Sequence, residues 1–221
     1  MNYFADAFAW IADPAHLRGV NGILARSGEH LWYSVLGVAL ACLIAIPAGW
    51  FVGHSGRFRG LAIGISGAAR AVPTLGLITL FGLMLGIGLA APMLAFVILA
   101  IPSILAGAYA GLEAIDPAVI DAARASGMTE FQILRQVEIP LGLPLLVAGV
   151  RSAMLQVIAT ATLAAYVGAG GLGRYLFLGL KTQDYAQMLA GSLLVVALAL
   201  VSEAVFSLVQ RLTTPAGLRT H

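Results

Sequence analysis

Charge is what this sequence has least of. Only 10% of its 221 residues are Asp, Glu, Lys or Arg, against about 25% in an ordinary soluble domain. Hydrophobic residues make up 60%, and the mean hydropathy is +0.95. Such a chain is suited to lipid rather than water. Lys181 is the single lysine, and the net charge of +2 is too small for a nucleic-acid footprint, so no nucleic-acid partner is expected. The one cysteine, Cys42, lies in an apolar run and excludes an internal disulfide. His16, His30, His54 and His221 are scattered without ligand spacing, which argues against a metal site. A basic n-region followed by a long apolar stretch is missing at the start, so no cleaved leader is expected. No G-x-x-x-x-G-K-[ST] occurs, so ATP hydrolysis is not assigned to this chain. No His, Cys or paired carboxylates converge at one depth, which disfavours a membrane-embedded enzyme.

What is present is a series of long apolar runs. A bilayer-crossing helix needs about 20 mostly apolar residues. Five segments qualify, at 31–53, 61–85, 90–111, 143–167 and 187–210. The second holds Arg70 and Pro73, and its separation from the third rests on Gly86-Ile87-Gly88. Residues 1–30 hold a shorter apolar piece, Tyr3 to Ile11, which reads as an interfacial helix. Trp32-Tyr33 and Trp50-Phe51 mark the ends of the first span, where amphipathic rings favour the headgroup level. The two Trp lie roughly 27 Å apart at 1.5 Å per helical residue, close to the hydrocarbon thickness.

Basic residues set the orientation. With 112–142 in the cytoplasm, that side holds Arg57, Arg59, Arg70, Arg124, Arg135, Arg151, Arg211 and Arg219. The other side holds Arg18, Arg26, Arg174 and Lys181. This asymmetry places residues 1–30 outside and the 211–221 tail inside.

The 112–142 stretch is a polar island. Asp116-Pro117 predicts a helix start, with Asp as N-cap and Pro at the first helical position. Gly127 predicts a left-handed stop. Thr129-Glu130-Phe131-Gln132 fits a capping box opening a second helix, expected to run to about Val137 and to close at Pro140. Ala122, Ala123 and Ala125 give the first helix a small, close-packing surface. Asp121 and Arg124, three apart, are placed to pair. A solvated connector and a docking element both fit these features.

Arg70, Arg151 and Glu203 fall inside apolar segments, where a charge costs at least about 2.5–3.5 kcal/mol on insertion scales. They either line a pathway, or pair or snorkel out. Arg151 and Glu203 sit at similar depth and are expected to pair. Pro73 removes a helix hydrogen bond and bends the second segment, and broken helices border translocation sites. Gly168-Ala169-Gly170-Gly171-Leu172-Gly173 satisfies G-x-G-x-x-G, but an apolar helix precedes it. The next acid, Asp184, is too close for a dinucleotide site, so the run reads as a turn.

One spacing resembles a known signature. Asp121-Ala122-Ala123, three residues, Gly127, nine residues, then Val137-Glu138-Ile139-Pro140 matches without a gap the Glu-Ala-Ala…Gly…Ile-x-Leu-Pro signature of inner-membrane permeases of ABC importers. Asp stands for Glu, Val for Ile and Ile for Leu. The run Ala159 to Gly173, with Thr160-Ala161-Thr162 and its glycine-rich end, resembles permeases for glycine betaine, carnitine and choline. Methionine-type permeases share the glycines but less of the Thr-Ala-Thr part. The resemblance covers about residues 30–210 and implies an all-α polytopic membrane protein with five transmembrane helices and the type I ABC importer permease fold. It further implies that Asp121, Ala122, Ala123, Arg124, Gly127 and Pro140 form a loop docking on a cytoplasmic ATPase dimer that binds ATP and Mg. A second permease subunit, identical or homologous, and a separate extracytoplasmic binding protein are the other implied partners. No cofactor is expected in the chain itself. A methionine-type importer is the first alternative reading, and a self-contained secondary transporter a more distant one.

Overall fold

The computed structural model of the protein describes residues 2–213, with the side chains of Ala69 and Arg70 outside the described set. Arg219 and most of the 211–221 tail also fall outside it. The described chain is built of helices in the order α1 (Tyr3–Ala12), α2 (Pro14–Leu17), α3 (Ile23–Ser55), α4 (Arg59–Ala71), α5 (Thr74–Leu85) and α6 (Ala90–Glu113). After these come α7 (Pro117–Ala125), α8 (Glu130–Ile133), a π turn (Leu134–Glu138), α9 (Ile139–Thr160), a 3-10 segment (Ala161–Val167), α10 (Gly173–Thr182) and α11 (Tyr185–Thr213).

Four stretches are long and apolar enough to cross a membrane: Ile23–Ser55, Ala90–Glu113, Glu130–Val167 and Tyr185–Thr213. They correspond to the expected spans one, three, four and five. The second expected span differs. It is two short helices, because Val72 and Pro73 turn extended, with ψ of 126° and 119°. Pro73 disfavours the helical conformation in the residue before it and lacks an N–H to donate, so the chain breaks there instead of bending. A positive φ at Gly86 then ends α5 before α6 begins. The N-terminal apolar piece does form a helix, α1. Its Ala7 is buried, and Tyr3 meets Tyr185 of α11 edge to face at 5.9 Å. It packs on α11.

The centre of the bundle is α3, α6 and α9. Lipid tails are as apolar as leucine, so helices in a membrane gain by packing closely, and small residues permit it. Gly107 and Gly111 of α6 meet Gly149 and Gly142 of α9. A Cβ on Gly107 would stand 2.9 Å from the Gly149 Cα, and one on Gly142 would stand 2.8 Å from the Gly111 carbonyl carbon. On the other flank of α6, a Cβ on Gly53 of α3 would meet Leu112 Cβ and the Tyr109 carbonyl, each at 2.9 Å. Phe96, Ile104, Val157 and Ile158 fill the space between, fully buried. By contrast α11 buries Ala190, Gly191 and Val195 near its start and leaves most of its length exposed or half-buried.

The end of the bundle away from the polar loop is fixed by hydrogen bonds. His30, fully buried, donates from Nε2 to the Ile158 carbonyl at 2.8 Å and accepts the Leu172 N–H on Nδ1 at 3.3 Å. Glu29 accepts the Gly171 N–H at 2.9 Å and pairs with Arg26 at 2.7 Å. Arg174 donates to the carbonyls of Ala169 and Gly168. The G-x-G-x-x-G run is thus a pinned turn between the 3-10 segment and α10, with no strand before it.

Candidate functional site

At the other end, α6 hands over to the polar loop. Asp116 caps α7 by accepting the Ala118 N–H on Oδ1 at 2.9 Å, with Pro117 in the first turn. Gly127 ends the approach with φ +83°, and Met128 N–H returns to the Ala123 carbonyl at 3.3 Å. Thr129 and Gln132 close a reciprocal capping box, Thr129 N–H donating to Oε1 of Gln132 at 2.8 Å. Two short helices therefore meet at Gly127, and the junction is pinned on both sides.

Beyond Gln132 the chain departs from the expected course. The second helix does not stop at Pro140. The Leu134–Glu138 π turn carries it into α9, with Ile139 N–H bonded five residues back to Leu134. Pro140 has no N–H and its ring collides with the carbonyl four residues earlier in a regular helix; a wider turn relieves this. Loop and span are one continuous rod.

Burial also divides the alanines. Ala122 is exposed, while Ala123 is 9% exposed and faces inward. Adjacent helical residues point about 100° apart, so one face cannot present both. Val119 of α7 and Phe131 of α8 are also exposed, Phe131 by 68%. Behind α7 a cavity of about 460 Å3 is lined by Asp116, Val119, Leu141, Pro144 and Leu145.

The loop's charges form a chain. Arg124 lies 3.5 Å from Asp121, but its main partner is Glu130 across the Gly127 turn. Nε and Nη2 reach the two carboxylate oxygens at 2.8 and 3.2 Å. That hydrogen-bonded guanidinium holds the Glu130 carboxyl below its ordinary range, and Glu130 raises Arg124 in turn. Glu130 continues to His54 at the end of α3, 3.7 Å from Nε2, and Nδ1 of His54 lies 2.5 Å from Glu138 in the π turn. Glu130, His54 and Glu138 were not readable as a site. The three meet only when α3 and the loop pack, 84 residues apart in the case of His54 and Glu138.

Within the bundle, Arg151 of α9 pairs with Glu203 of α11. Nε donates at 2.7 Å, Nη2 reaches the other carboxylate oxygen, and Nη1 donates to Gln210 at 3.0 Å. Arg70 lies two residues before Val72 at the α4–α5 break, with its side chain outside the described set, and Pro73 opens α5. The pair and the break lie on different elements, so they do not form one lining. Among the described residues no cluster of three or more His, Cys, Asp or Glu stands ready for a metal.

Residues 45–216 match the family model described as the binding-protein-dependent transport system inner membrane component. The chain is 32% identical over 197 residues to the glycine betaine/carnitine/choline transport system permease protein OpuCB of Bacillus subtilis, covering 89% of this chain and 91% of that one. It is 35% identical over 199 residues to the osmoprotectant import permease protein OsmW of Salmonella typhimurium, covering 86% and 91%. Its fold matches the inward-facing MetNI methionine ABC transporter with a TM-score of 0.75 at 24% identity, over 87% of this chain and 97% of that chain. The fold is thus that of an ABC importer permease, and the chain belongs to the inner-membrane components of binding-protein-dependent transport systems.

Proposed function

We propose that this chain is the permease subunit of an ATP-driven importer for osmoprotectants such as glycine betaine, carnitine or choline. The observation that carries the coupling role is the α7–Gly127–α8 hairpin, capped at both ends and continuous with a membrane-spanning rod. A displacement applied at its exposed Ala122, Arg124 and Phe131 is passed to α9 rather than absorbed in a slack loop. Asp121, Ala122, Ala123, Arg124, Gly127 and Pro140 shape this element, which sits on a cytoplasmic ATPase that binds ATP and Mg. Two permease subunits pair through surfaces such as the open face of α11 and enclose the path. A separate binding protein delivers solute to the outer end, where His30, Glu29 and Arg174 hold the surface rigid. The N-terminus lies outside and the C-terminus in the cytoplasm of a bacterial inner-membrane protein. The names of the relatives favour osmoprotectants over methionine, the second reading. Proteoliposomes holding the permease, its ATPase and its binding protein decide between them. ATP-dependent uptake of labelled betaine, carnitine or choline supports the proposal, and uptake of methionine alone overturns it.

A further inference from the structure

His54 occupies a place that the family motif does not explain. It ends α3, a helix of the packed core, yet its ring is inserted between two carboxylates of the polar loop. Glu138 is only 7% exposed, and a buried carboxylate without a partner is costly. At 2.5 Å from the Glu138 carboxylate, Nδ1 of His54 answers that need as a donor. The π turn makes the arrangement possible. Eight steps along a regular helix would rotate Glu138 about 80° away from Glu130. A wider turn rotates less per residue and brings both carboxylates to the side of His54. Arg124 completes the chain by holding Glu130 from α7. Four side chains thus join α7, α8, the π turn and α3.

We propose that His54 is a positioning residue that latches the loop to the inner end of α3, so that displacement of α7 moves α3 together with α9. Its Nδ1 holds Glu138 and its Nε2 faces Glu130, so one ring spans both carboxylates. The charges around it are Glu130 and Glu138, Arg124 behind Glu130, Arg57 just beyond α3, and Arg59 of α4, which pairs with Glu113 of α6 at 3.3 Å. The transport consequence rests on the importer reading above; the latch itself does not.

The test uses the intact permease in nanodiscs, alone and assembled with its ATPase, comparing wild type, His54→Leu, His54→Lys and Glu138→Gln. In the permease alone, His54→Leu and Glu138→Gln are expected to speed amide hydrogen exchange over 117–138, with the exchange of α6 unchanged as the folding control. His54→Lys, which puts an ammonium donor between the same two carboxylates, restores most of the protection. In the assembled transporter, solute moved per ATP hydrolysed should drop about tenfold in His54→Leu, within the usual range of coupling factors. Unchanged exchange over 117–138 in both His54→Leu and Glu138→Gln overturns the latch. If exchange responds as expected but no ATPase binds wild type, the latch stands and the importer reading fails.

Discussion

Arg151 and Glu203 show what one part-buried ion pair demands of its surroundings. The guanidinium spends Nε and Nη2 on the carboxylate and Nη1 on Gln210, so few polar atoms are left bare beside apolar neighbours. Removing one member strands the other, at about 3–5 kcal/mol for a fully buried pair. With each side chain close to a third exposed, the lower end applies. Arg151→Met alone should therefore lower the thermal unfolding midpoint more than Arg151→Met combined with Glu203→Gln. Additive losses across the double-mutant cycle would show that the two charges are supported separately. This contact was legible in the sequence because both residues interrupt apolar runs at matching depth. Gln210 was not, since an amide near a helix end carries no such signal. The partners of His30 were hidden for a similar reason. A lone histidine has a bland sequence context, and its two hydrogen bonds go to backbone groups 128 and 142 residues away.

Among the elements, the loop hairpin was the most legible, because capping chemistry is local. Asp116, Pro117, Thr129 and Gln132 each act within three residues, and the structure shows each cap. The π turn was illegible. It arises from Pro140 meeting the need of Glu138 to face α3, and only the second of these depends on the rest of the fold. Gly127 at φ +83° has open space around its Cβ position, so its role is conformational rather than steric. A valine there should cost about 1–2 kcal/mol in the left-handed region and re-aim α7. The expected outcome for Gly127→Val is permease that inserts at normal levels but retains little ATPase in a pull-down. Full ATPase retention with full uptake would reduce the loop to a connector. Acid should loosen the same element. Arg124 lowers Glu130, so the stabilisation is present above the unfolded Glu value of about 4.3 and is lost as pH falls through the folded value. Proteolysis at the Gly127 junction should therefore accelerate only below about pH 4, and the acceleration should vanish in Glu130→Gln, whose basal rate is already raised.

For the whole molecule, hydropathy gave the order of the apolar segments but not their continuity, and four rather than five of them are long enough to cross a membrane. Span two reads as one run because apolar residues dominate 61–85 on both sides of Pro73 despite Arg70, yet the backbone breaks at Val72. The close glycine contacts of α6 with α3 and α9 were present as Gly49-x-x-x-Gly53 and Gly107-x-x-x-Gly111, spacings that signal tight helix approach. They decide which helices form the centre, and an outward reading of each segment alone misses them. α3 and α6 run parallel and α9 runs against them, which puts His54, Glu113 and the 117–138 loop at one end of the bundle. Gly88, Gly168, Gly171 and Thr182 fall at the other, where Gly88 N–H bonds to the Val167 carbonyl at 3.0 Å. Counted along the sequence outside the expected spans, six basic residues fall toward the first end and four toward the other, the asymmetry on which the proposed cytoplasmic placement of that end rests. Labelling in intact cells tests this. Thr129→Cys and Thr182→Cys both place the thiol at the membrane-distal ends of the bundle, while the native Cys42 is half-buried in the apolar part of α3. A membrane-impermeant maleimide should modify Thr182→Cys and spare Thr129→Cys until the cells are permeabilised. The reverse pattern would place the loop outside, where no ATPase can reach it, and the coupling role of the Gly127 hairpin would fall with it.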